Sequence, residues 1–316
     1  VISDADGAEV YRAEDFDWSF AAFVGAVAEY AQNGNPAEVA ALLSLQDVTY
    51  DGTNAAEALD EPLPAGLTSD ATILGGAFGD TLRGGSGDDT LDGGSDGSDY
   101  LYAADGDDVL RPGGGASFKQ VMPGAGNDRV ELAGGNGYLE VEHYDLPPGV
   151  GITATLDLAA NTGRIDKGAF GTTTLVDPLA RADLEQGNFG LGFWGAGAAD
   201  SFDVTGAYDE GVVSTWVGLG GGPGADSYTI RGNGWERLDF WYSGTTSGGT
   251  VNLDTRVIAN DGFGNRETLA GEGRVNEVRG TTLSDVMVGS DGDEWFILLT
   301  GNDTLDGGGG RDMVRY

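Results

Sequence analysis

Apolar positions near the start of the chain recur at intervals of three and four residues. Phe16, Phe20, Phe23, Val24, Val27 and Tyr30 share one face of a helix predicted over 13–31. A second helix is predicted from Asn35-Pro36-Ala37-Glu38, where Asn35 caps, Pro36 fits the first turn and Glu38 closes a capping box. Val39, Leu42 and Leu43 then turn inward. The pair reads as a cap over the open end of a solenoid ahead of a docking module. With its linker it takes up residues 1–70.

From Gly75 the period becomes nine. Gly75-Gly76-Ala77-Phe78-Gly79-Asp80-Thr81-Leu82-Arg83 is followed in register by Gly84-Gly85-Ser86-Gly87-Asp88-Asp89-Thr90-Leu91-Asp92. The sixth-position acid marks the series as Asp80, Asp89, Asp99 and Asp108, with one inserted residue near Asp96, and Asp128 resumes it. A second run carries Asp285, Glu294, Asp303 and Asp312 at nine-residue steps. Between the runs Asp200 and Asp226 keep the order of glycine, acid and apolar residue. If two nonapeptides make one revolution, acids eighteen or nineteen residues apart become vertical neighbours. Asp80 then stacks on Asp99, Asp89 on Asp108, Asp285 on Asp303 and Glu294 on Asp312, while Leu82, Leu91, Leu101 and Leu110 point inward. The fold expected is mainly β, a parallel β-roll or β-helix solenoid with Gly/Asp-rich turns and a small helical cap. Its blocks are 71–145, a degenerate stretch 146–278, and 279–316.

A longer period overlies the short one. Gly126-Asn127-Asp128 through Glu142-His143-Tyr144 aligns with Gly224-Ala225-Asp226 through Phe240-Trp241-Tyr242, and each copy continues into an alternating strand, Ala154–Leu158 or Thr250–Asp254. The chain begins without methionine and ends in mid-pattern at Tyr316, as expected of a piece of something longer.

Charge sharpens the picture. Of 316 residues 57 are glycine, and 52 acids against 16 bases give a net charge of −36. A compact state of that charge repels itself unless cations offset it, and nucleic acid and anionic membranes are poor partners. There is no cysteine, hence no disulfide or thiolate site, and no apolar stretch long enough to span a bilayer. The glycines let carbonyl oxygens crowd inward, and the acid adds a hard anionic oxygen. Ca²⁺ takes six to eight such oxygens, so two turns share each ion. The expected ligands are Asp80, Asp89, Asp99, Asp108, Asp128, Asp226, Asp285, Glu294, Asp303 and Asp312. Turn carbonyls near Gly85, Gly87, Gly94, Gly106, Gly292, Gly301 and Gly308 complete them. The thin apolar core calls for folding coupled to several calcium ions.

Gly84 to Asp92 matches Gly-Gly-x-Gly-x-Asp-x-apolar-x at every defined position, and the chain resembles the repeats-in-toxin (RTX) family over 75–141 and 280–316, with weaker cover over 195–230. Glu294 stands for the usual aspartate, and residues 112–120 and Tyr138 lack the acid. The resemblance implies a β-roll that binds Ca²⁺ between turns, leaves Gram-negative bacteria unfolded through a one-step channel, and folds outside.

Catalytic readings find little support. His143 is the single histidine, so no His-Glu-x-x-His zinc motif exists. Gly93-Gly94-Ser95-Asp96-Gly97 has the spacing of a nucleophile elbow but lies in a repeat turn. His143 is given a packing or strand-face role. The tryptophans are assigned to stacking along the solenoid ahead of sugar binding. The expected function is a secreted, non-enzymatic structural or adhesive protein of the bacterial surface, such as a filament, surface layer or adhesin, that associates with itself or with surface polysaccharide. The alternative is the non-catalytic β-roll portion of a secreted polysaccharide-acting enzyme or other hydrolase.

Overall fold

The computed structural model describes residues 2–3, 9–11, 26, 30, 32–33, 37–44, 47–60, 63, 66–115, 117–132, 137–176, 189–206, 215–232 and 234–316. The chain divides into two units, residues 1–137 with 170–181, and residues 138–169 with 182–316.

In the first unit each nonapeptide is one turn and one short strand, and successive strands alternate between two parallel sheets. Val48–Asp51, Ala71–Leu74, Thr90–Asp92, Val109–Arg111, Gly126–Glu131 and Gly171–Val176 lie side by side in that order in one sheet. Thr81–Gly85, Asp99–Ala104 and Lys119–Met122 form the other. The central apolar residue of each strand points between the sheets, so Ile73, Leu82, Leu91, Leu101, Leu110, Val121 and Val130 are fully buried. Each such burial contributes about 1.5–3 kcal/mol.

Glycine is required where turns abut. A Cβ on Gly94 (φ 86°) would strike the carbonyl oxygen of Gly76, and one on Gly106 (φ 131°) that of Gly87, one rung earlier in each case. The parallel sheet begins ahead of the first Gly/Asp repeat, because Val48–Asp51 already pairs with Ala71–Leu74. The second predicted helix is present as Ala37–Leu43. Ala40 is buried, while Val39 and Leu43 are half-buried; Asn35, Pro36 and the side chains of Glu38 and Leu42 lie outside the described residues. Of the helix predicted over 13–31, Ala26 is buried, but Tyr30 is 53% exposed rather than facing inward. A tyrosine at the end of an apolar stripe can keep its hydroxyl in water. The remaining positions of that helix lie outside the described residues.

The second unit uses the same two-sheet plan with larger side chains. One sheet runs Tyr138–Glu142, Phe189–Trp194, Thr215–Gly220, Glu236–Asp239, Glu277–Arg279, Trp295–Ile297 and Met313–Arg315, all parallel. Opposite, Thr153–Asp157, Ser201–Thr205, Ser227–Arg231 and Glu267–Ala270 are parallel neighbours, as are Thr250–Asn252, Val286–Val288 and Thr304–Asp306. Phe202 and Tyr228 stack on consecutive rungs, ring centres 5.4 Å apart and planes 8° from parallel.

The expectation of a parallel solenoid is modified at two places. Thr153–Asp157 pairs antiparallel with Thr162–Asp166, and Thr250–Asn252 with Val257–Asn260. Both hairpins turn alike. Asp157 Oδ1 accepts the Ala160 amide (2.9 Å) and Asn252 Oδ1 the Thr255 amide (2.8 Å), and Asn161 (φ 53°) and Arg256 (φ 52°) close the turns in the left-handed region. The alternating strands of the long sequence repeat are thus first arms of inserted hairpins. Among the described residues no helix is long and apolar enough to cross a membrane.

A ladder of buried carboxylates between turns

The sixth-position acid precedes a strand whose next-but-one residue is buried, and strand alternation therefore turns the acid inward as well. Asp80, Asp89, Asp99, Asp108, Asp128, Asp200, Asp226, Asp285 and Glu294 are all at most 2% exposed. Their charge meets backbone amides of two successive turns. In Asp89, Oδ1 accepts the Ala71 amide from the rung above and Oδ2 the Gly85 amide of its own turn, both at 2.7 Å. Asp80 does the same with Leu59 (2.7 Å) and Gly76 (2.8 Å), Asp200 with Ile152 (2.6 Å) and Ala196 (2.9 Å), and Asp285 with Gly249 (2.6 Å) and Thr281 (3.1 Å).

The acids are linked to one another by these bonds. The Asp80 amide donates to Asp99 Oδ1 (2.9 Å), Asp89 to Asp108 (2.7 Å), Asp108 to Asp128 (3.3 Å), Asp285 to Asp303 (3.0 Å) and Glu294 to Asp312 (3.1 Å). The vertical neighbours expected from eighteen- and nineteen-residue spacing are thus brought together. In the degenerate stretch the Asp200 amide donates to Asp226 Oδ1 at 2.7 Å, and the Asp226 amide to Glu267 Oε2 at 2.5 Å. Among the expected glycines, Gly94, Gly106, Gly301 and Gly308 have positive φ and stand against carbonyls of the preceding rung. Gly85 supplies an amide to Asp89, and the Gly87 carbonyl stands where a Cβ on Gly106 would be. Gly292 packs against the Arg274 guanidinium and, through its carbonyl, against Gly310.

Several members of this arrangement escape the nonapeptide pattern. Glu267 continues the ladder 41 residues after Asp226, past an inserted hairpin. Asn276 offers Oδ1 to the Glu236 amide at 3.3 Å. Thr173 and Lys119 occupy ladder positions in register with Asp128 and Asp99. A second, exposed ladder runs beside the first: Asp70 accepts the Asp88 amide (2.8 Å), Asp88 that of Asp107 (2.8 Å) and Asp107 that of Asn127 (2.7 Å). The acidic pairs Asp88-Asp89 and Asp107-Asp108 are its signal in the sequence.

Burial pushes several of these acids upward. Asp89 and Asp99 rise to about 6, Asp226 to about 7, Asp108 and Asp200 to about 8 and Glu267 to about 9. Amide donors pull each back, and neighbouring acids push most of them further. Among the described residues, Asp108 Oδ2, Asp226 Oδ2 and Glu267 Oε1 are buried with no hydrogen-bond donor. A bound cation would supply the missing partner. Among the described residues no three Asp, Glu, His or Cys side chains form a metal-holding group by themselves. One or two carboxylates per cradle, with glycine-turn carbonyls supplying the rest, nevertheless make an all-oxygen donor set suited to Ca²⁺. Residues and ion fit.

His143 is 1% exposed, with Nδ1 3.4 Å from the Trp194 carbonyl, and burial lowers it to about 3, so its imidazole is neutral. Its sequence counterpart Trp241 is 49% exposed, so the two share a place in the long repeat but not an environment. The Ser95 amide donates to the Gly76 carbonyl (3.0 Å) within a turn between two strands.

No curated protein matches the chain. A family model for the RTX calcium-binding nonapeptide repeat matches it in four copies, over residues 66–96, 94–118 and 279–315. Those matches fall on the turns that carry Asp80 to Asp108 and Asp285 to Asp312, and over these residues the chain carries RTX calcium-binding nonapeptide repeats.

Proposed function

We propose that this chain is a secreted scaffold of the bacterial cell surface, folded by extracellular calcium, without catalysis of its own, and associating with further copies of itself or with surface polysaccharide. The observation that carries the reading is the ladder of buried, mutually stacked carboxylates in a chain of net charge −36. Such a ladder is at odds with a folded state at neutral pH until cations offset it, which suits export unfolded and folding in a calcium-rich medium. The exposed acids of the Asp70, Asp88 and Asp107 ladder give divalent ions groups through which to bridge two molecules.

Polysaccharide as a partner is supported by aromatic and guanidinium pairs along one sheet of the second unit. Arg279 lies 4.1 Å over the exposed Trp241 and Arg315 5.2 Å over Trp295, while Arg237, 3.8 Å over Trp216, is buried and ion-paired within the sheet. Sugar rings pack on aromatic planes while charged groups bond their hydroxyls. The same row favours the second reading, the β-roll portion of a polysaccharide-acting enzyme. Light scattering of the purified chain over a calcium titration, beside a turnover screen on glycans and esters, tests both. Assembly that grows with calcium and reverses with chelator is expected; a strict monomer at millimolar calcium that turns over a substrate would replace the scaffold with the enzyme.

A further inference from the structure

Lys119 interrupts the acid ladder. It pairs in register with Asp99, the place where a further acid would follow Asp80 and Asp99. Its side chain is as buried as that of Asp99, both 0% exposed. The ammonium reaches back to the turn above, donating to Asp99 Oδ2 and, at 2.6 Å, to the carbonyl oxygen of Gly97. One carboxylate and one glycine-turn carbonyl are the donor types from which the family's cation sites are assembled. A Ca²⁺ ion needs those oxygens at about 2.3–2.6 Å, where it would overlap Nζ and meet its positive charge. The opposite sheet of this unit also ends its ladder in a donor: Thr173, 0% exposed, gives its hydroxyl proton to Asp128 Oδ2 at 3.2 Å. The family match that begins at residue 94 ends at 118, one residue before the lysine.

We propose that Lys119 is a built-in cation that takes the place of one calcium ion, closing the Asp99 cradle to metal and joining the turns that carry Asp99 and Lys119 whether or not calcium is bound. The inference rests on the reading of the neighbouring cradles as calcium sites. It makes the response of the coil to calcium uneven: the joint at Lys119 persists under chelation, while joints made of carboxylates alone, such as Asp285 on Asp303, dissolve.

The test uses the full chain, Lys119→Asp and Lys119→Met. Ions bound at saturating calcium are counted by native mass spectrometry, and hydrogen exchange is followed in chelator. Lys119→Asp, folded in calcium by circular dichroism, is expected to bind one ion more than the parent. In chelator the parent's Asp99–Ala104 and Lys119–Met122 strands should exchange on the order of tenfold more slowly than Val286–Val288 and Thr304–Asp306, and Lys119→Met should erase that difference. Equal ion counts in the parent and folded Lys119→Asp, or equal exchange of the two strand pairs in the parent, would overturn the proposal. Should Lys119→Asp not fold, the exchange comparison decides alone. A parent chain that binds no calcium would remove the calcium reading itself, a distinguishable failure.

Discussion

At the scale of single residues the ladder acids must serve two regimes. Asp108, pushed up to about 8 by burial and by Asp128 and Asp89, is protonated at neutral pH unless a cation replaces the proton. Asp108→Asn, which mimics the protonated acid, should therefore leave stability in chelator unchanged or slightly higher and lower it in saturating calcium. Paired thermal melts check the change of sign. A second residue carries strain. Ala104 has φ 78° where Gly94 of the preceding repeat in the sequence has 86°, and a Cβ in that region costs about 1–2 kcal/mol. Since glycine loses more chain entropy on folding, Ala104→Gly should stabilise the calcium-loaded protein by about 0.5–1 kcal/mol, read as a rise in melting temperature. The buried acids, glycine turns and inward leucines were legible in the sequence because the nine-residue period places each on a fixed side of the coil. Lys119, Thr173 and Glu267 were not, since each fills a ladder position with a side chain the period does not anticipate.

Among the elements, the two hairpins show where pattern reading stops. An alternating run such as Thr250-Val251-Asn252 reads as a strand, but nothing in its alternation states whether its neighbour runs parallel or antiparallel. The turn that follows decides that, and its signal is the short side-chain acceptor at Asp157 or Asn252, three residues before the amide it receives. Asp157→Ala and Asn252→Ala should each cost about 1 kcal/mol in calcium-saturated melts, with similar shifts because the turns are alike. The first helix illustrates the opposite limit: a clear three-four periodicity set its predicted face, yet Tyr30 at the end of that stripe stands 53% exposed.

For the molecule as a whole, the raised carboxylates fix how stability depends on pH without metal. A group whose acid form is favoured by folding binds more protons folded than unfolded, so stability falls as pH rises from the unfolded value near 4 through the folded values of about 6 to 8. In chelator the β circular dichroism should therefore be strongest near pH 4 and fade toward pH 8, while in calcium it should persist, with protons released as the ions bind. The alternation of strands between two sheets has another consequence, for the lengths this chain can tolerate. Removing residues 90–108 excises one strand from each sheet and joins Asp89 to Val109, whose partner across the rung is Thr90. Removing residues 81–89 instead transposes every later strand of the unit to the opposite sheet, out of line with its partners. Insertions and deletions are thus quantised in full revolutions, and a repeat count that changes by one should be far more damaging than a count that changes by two.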